Sequence, residues 1–118
     1  MTTPNRRKTP RIIQQLPLRL QAAAEELITK TENVSASGAY CTVSRFLPLM
    51  TKLQIRLELP GPPRASISCE AAVVRIDPPK AVARRSQYQV AIFFTDLSEQ
   101  DRSSLARYVQ HHLQSALS

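Results

Sequence analysis

The 118-residue sequence has no tryptophan, two glycines, two cysteines, and three each of tyrosine and phenylalanine. Each scarcity excludes something. With two glycines the chain cannot carry a glycine-rich loop of the kind that cradles nucleotide phosphates. Two cysteines, Cys41 and Cys69, both in apolar runs, are too few for a disulfide scaffold and show no metal-ligand spacing. They read as buried free thiols. The only histidines, His111 and His112, are adjacent; on a helix they point about 100° apart and cannot act together. His112 falls on an apolar stripe, where a packed imidazole is the plain explanation. Asp77, Asp96 and Asp101 stand beside turns or caps, where carboxylates serve the local backbone. No pairing of nucleophile and base emerges, and the chain is not expected to be an enzyme. There is also no apolar run long enough to cross a membrane and no apolar segment behind the basic N-terminus. A cytoplasmic protein without membrane insertion is the expectation.

Acidic residues are absent from the first 24 positions. Arg6, Arg7, Lys8, Arg11 and Arg19 lie there, so five of the seven net positive charges sit at the N-terminal end. An anionic partner would meet that end. Residues 1–11 carry two prolines and little apolar surface, and read as a flexible basic arm that cannot offset its own ordering entropy.

From residue 12 the pattern is that of one domain. Leu16, Leu18 and Leu20 alternate with polar neighbours, as a half-buried strand requires. The segments EELITKTENVS, AYCTVS, KLQIRLEL, SISCEAAVVRI and YQVAIFF follow, separated by turn formers such as PGPP and DPPK. The alternation blurs at Ala71–Val74, as at a bulge or a strand buried on both faces. Six short strands predict an all-β fold, a six-stranded antiparallel barrel that closes to remove its edges. From about Ser98 the period changes. Ser98 reads as an N-cap, with Glu99 and Asp101 in the first turn. Leu105, Tyr108, Val109, His112, Leu113, Ala116 and Leu117 form one stripe of an amphipathic C-terminal helix, expected to cover one mouth of the barrel.

Gly38 closes NVSASG between two strands. A glycine there permits a left-handed turn or a close approach of backbone to ligand, while Asn33 and Ser35 offer an amide and a hydroxyl to polar edges. The basic cluster Lys80, Arg84 and Arg85 reads as a solvated loop. Taken together, RRKTPR, with Arg7 and Arg11 four apart, and the later NxSxxG of Asn33, Ser35 and Gly38 resemble the paired signature of the PilZ domain family, RxxxR then (D/N)xSxxG. The likeness continues through LPLMTKLQIRLELPG, EAAVVRID and YQVAIFFTDLSEQDRSSLARYV, with Ala91 where similar sequences often have glycine.

The resemblance implies a receptor for cyclic di-GMP, with Arg6, Arg7, Arg11, Asn33, Ser35 and Gly38 at the ligand and Arg75 a further candidate. Members with an arginine at the place of Arg6 take up two intercalated ligand molecules, and the likeness extends that stoichiometry here. It also implies an arm that orders on binding and signals to a downstream effector protein. Two rivals remain at this point: a small barrel that binds nucleic acid, which the few aromatics make less favourable, and a PilZ-like adaptor without ligand, which would not need all five motif residues.

Overall fold

A computed structural model of the chain describes residues 10–61 and 64–117, with helix side chains up to residue 113. The elements in order are β1 (Arg11–Ile12), β2 (Pro17–Ala22), β3 (Glu25–Ser35), β4 (Gly38–Val43), β5 (Lys52–Leu59), β6 (Ala65–Asp77), β7 (Tyr88–Phe94) and α1 (Glu99–Leu117). Strands β3-β2-β5-β6-β7-β4 pair antiparallel in that order, and β4 returns to pair with β3. The result is a closed six-stranded barrel, as the strand pattern predicts.

The interior follows directly from period-two alternation. Leu18 and Leu20 on β2, Leu53, Ile55 and Leu57 on β5, and Val90 and Ile92 on β7 are all buried in one cluster. Their polar neighbours face out. Each fully buried aliphatic side chain contributes roughly 1.5–3 kcal/mol relative to exposure, so the barrel wall needs no cofactor to hold it. Cys41 and Cys69 belong to this interior as unpaired thiols. Desolvation pushes both up to about 12, with Glu32 adding at Cys41 and Asp96, Asp101 and Glu70 adding at Cys69. Neither is a thiolate at neutral pH.

The seventh strand is short. Arg11, which the sequence reading places at the end of the arm, instead pairs with Ser35, and Ile12 pairs with Val34. β1 thus occupies the same side of β3 as β2, beyond a break at residues 13–16. Thr31 spans that break: its backbone N–H donates to Leu16 O at 2.9 Å, Leu16 N–H donates to its Oγ1 at 2.9 Å, and Oγ1–H donates to Gln14 O at 2.6 Å. A fully buried polar side chain is tolerated here because its hydrogen-bonding capacity is used.

The Ser98 cap is present, with Asp101 N–H donating to Ser98 Oγ at 3.1 Å. α1 packs against β1, β3 and β6 and places Leu105 and Val109 in the core. His112 sits half-buried as expected, its Nδ1–H donating to Tyr108 O at 3.0 Å. Ala116 and Leu117 fall outside the described side chains.

Candidate ligand-binding site

The outer wall formed by β1, β3, β4, β7 and β6 collects most of the candidate residues, and two bulges decide which way they point. Along β3, Leu27 and Thr31 are directed inward, and strict alternation would send Asn33 inward with them. The pairing with β4 shifts between Thr31 and Asn33, leaving Glu32 unpaired. One extra residue reverses the phase, so Val34 is buried and Asn33 faces out. β6 repeats the device. Its pairing with β7 shifts between Val73 and Arg75, which keeps Val73 and Ile76 inside while Val74 and Arg75 face solvent. This is the bulge expected from the blurred alternation at Ala71–Val74; the one at Glu32 was not foreseen.

Cross-strand partners lie on the same face. Asn33 pairs with Tyr40, Tyr40 with Ala91, and Ala91 with Arg75. These four residues therefore form a lateral row across three strand spacings, about 14 Å from end to end. Arg11 stands beyond Asn33. Its Nη1 donates to Asn33 Oδ1 at 3.3 Å, a contact that joins the two sequence motifs on the wall. Tyr40 donates from its hydroxyl to Gln89 Oε1 at 3.1 Å, and the unpaired Glu32 accepts a short hydrogen bond from Thr42 Oγ1.

The two remaining motif residues act on the backbone. Ser35 is 3% exposed, and its Oγ accepts from the N–H groups of Ser37 at 3.1 Å and Gly38 at 3.2 Å. Its hydroxyl shapes the β3–β4 turn from within. Gly38 has no left-handed φ, so the turn does not need its conformational freedom. A Cβ there would lie 2.2 Å from Ile92 O. The close approach that glycine permits here is to the backbone of β7. Phe94 N–H donates to Ser37 O at 2.9 Å, tying the turn to the same strand.

Arg6 and Arg7 lie outside the described residues. Arg11, Asn33, Ser35 and Gly38 are brought together, and Arg75 shares their face at the far end of the row. Lys80, Arg84 and Arg85 are exposed in the β6–β7 loop. Tyr40 and Phe93, which is 48% exposed, went unnamed in the sequence reading although the period-two alternation of β4 and β7 already turns both outward. The register with Gly38 is the signal that finds Phe93. A groove of about 560 Å³ between α1 and the β5–β6 turn, lined by Leu59, Arg107, Tyr108 and His111 among others, shares no residue with this site. Among the described residues no cluster of His, Cys, Asp or Glu could hold a metal ion, and no helix is long and apolar enough to cross a membrane.

The family model of the PilZ domain matches residues 5–111. No curated protein matches the chain by sequence. Among solved structures, the Bacillus subtilis inhibitor of motility MotI/DgrA superposes with a TM-score of 0.79 at 22% identity, over 94% of this chain and 52% of that one. This chain thus spans about half of that protein. The PilZ domain with c-di-GMP of YcgR from Escherichia coli gives 0.70 at 15% identity, over 95% of each chain. The PilZ domain of CeSA from a cellulose-synthesizing bacterium gives 0.61 at 23%, over 86% of this chain and 96% of that one.

Proposed function

Because the chain belongs to the PilZ domain family, we propose that it is a receptor for cyclic di-GMP that binds the ligand on the outer wall of the barrel around Arg11 and Asn33. The observation that carries this reading is the contact between these two side chains, which unites RxxxR and NxSxxG although 22 residues separate them. The c-di-GMP on the YcgR domain, which shares the fold, supports it.

The chemistry suits a dianionic bis-guanine ligand. Guanidinium groups present planar forks that match both phosphate oxygens and the O6/N7 edge of guanine, and their faces stack on purines. Arg11 begins from a fixed backbone in β1, so less freedom is lost when it engages. Asn33 supplies an amide that reads donor and acceptor edges. Ser35 and Gly38 act one step back, fixing the turn that presents Asn33. Arg6 and Arg7 add charge from the residues before β1, which close over the bound ligand. The surface created in this way is what a downstream effector protein reads.

Calorimetry tests the reading. Cyclic di-GMP should bind while GMP, GTP and cyclic di-AMP do not compete, and Arg7→Ala or Arg11→Ala should each weaken binding at least about tenfold, the loss of one charge-assisted hydrogen-bonding group. Unchanged affinity in both variants would remove the assignment.

A further inference from the structure

We propose that Phe93 is a stacking platform for one guanine base, an inference that rests on the receptor reading above. Three aromatic side chains lie on β7. Tyr88 and Phe94 are 3% and 5% exposed and belong to the core, whereas Phe93 is 48% exposed on the outer face. A lone exposed apolar residue is ordinary on any protein surface. The position of this one is what gives it a role.

Its cross-strand partners are Gly38 on β4 and Ala72 on β6, and the next outward residue on its own strand is Ala91. None of these has a side chain that extends past a methyl group, so the directly opposed positions leave the ring about half exposed. Gly38 is also the last residue of NxSxxG, and the turn is tied to β7 at Phe94. Phe93 therefore stands directly beside the candidate site. It shares the outer face with Asn33, two strand spacings across and two residues along the strand, about 12 Å away. A guanine has a polar edge and an apolar π face. Arg11 and Asn33 match the edge and the phosphates; Phe93 supplies an aromatic face that is 48% exposed on the same wall, whereas Tyr40 is half-buried with its hydroxyl donating to Gln89 Oε1. Base–aromatic stacking accepts any purine, so Phe93 contributes affinity while the polar groups select guanine.

The absence of tryptophan from the chain makes the test direct, because Phe93→Trp introduces a single indole fluorophore at the platform. Cyclic di-GMP is titrated into the wild type, Phe93→Leu, Phe93→Trp and Arg11→Ala. Phe93→Leu, which keeps apolar bulk but has no π face, is expected to weaken binding about 5- to 150-fold with an unchanged thermal midpoint. Phe93→Trp is expected to bind at least as tightly as the wild type, with its emission quenched as the ligand saturates. Wild-type affinity in Phe93→Leu, or saturable binding to Phe93→Trp without quenching, overturns the platform. If Arg11→Ala still loses affinity in that case, the receptor reading stands without it. Failure of the wild type to bind cyclic di-GMP removes both.

Discussion

Replacing Gly38 by alanine separates two explanations for a motif glycine. The added Cβ would sit 2.2 Å from Ile92 O and 3.4 Å from Phe93 Cα. Both obstacles are backbone of a central barrel strand, which cannot rotate away as a side chain would. To restore ordinary contact, β4 and β7 must part by roughly 1 Å at this point, against the hydrogen-bonded pairing of the two strands. Overpacking of this kind costs about 1–3 kcal/mol, and weakening the adjacent bond from Phe94 N–H to Ser37 O adds about 1 kcal/mol. Alanine stiffens the unfolded chain and returns about 0.5–1 kcal/mol. The net loss is about 2 kcal/mol, or roughly 8 °C in the thermal midpoint of a domain this size. Calorimetric unfolding without ligand measures it. A Gly38→Ala protein that melts with the wild type yet no longer binds cyclic di-GMP would refute the reasoning, because the glycine would then be clearing space for the ligand and not for the neighbouring strand.

Ser35→Ala leaves the N–H groups of Ser37 and Gly38 without their acceptor in a half-buried turn, and is expected to cost about 1–3 kcal/mol in urea unfolding. Ala23→Gly has the opposite sign: Ala23 holds a φ of 54° in the β2–β3 turn, a conformation that costs a side-chain-bearing residue about 1–2 kcal/mol, so glycine should raise the unfolding free energy measured in urea by about 0.5–1 kcal/mol after the added freedom of the unfolded chain is counted. The thiols of Cys41 and Cys69 ionise at about 12 when folded against an ordinary 9.0. Their contribution is complete below pH 9 and is lost as pH rises toward 12, because the unfolded chain gains by ionising first. Urea midpoints taken through that range should fall, and Cys41→Val should flatten the decline.

The fold was legible in the sequence because burial in a barrel has period two. The alternation of Leu53, Ile55, Leu57 and Leu59 needs no tertiary knowledge to assign, and the Ser98 cap is equally local. What escaped depends on partners distant in sequence. The outward face of Asn33 is set by the unpaired Glu32, and a phase reversal of this kind is visible only when β4 fixes the register. β1 escaped for the same reason: two residues carry no periodic signal, and only their pairing with Ser35 and Val34 makes them a strand. For the site, the residue types were legible and their division of labour was not. Ser35 reads as a ligand contact in sequence, and the structure adds that its hydroxyl accepts from the N–H groups of Ser37 and Gly38. Phe93 was not singled out in the sequence, yet it lies open beside Gly38.

The brief pairing of β1 sets how near the wall the first arginine of RxxxR is tethered. Ile12 is embedded in the core and Arg11 is held to Ser35, so the chain is moored beside Asn33. Arg7 is four residues before that mooring in sequence, a covalent span of at most about 14 Å. A tether so short presents its guanidinium at an effective concentration of millimolar or above. On the proposed receptor reading, a dinucleotide that has found Arg11 meets Arg7 as a neighbour and not as a second collision.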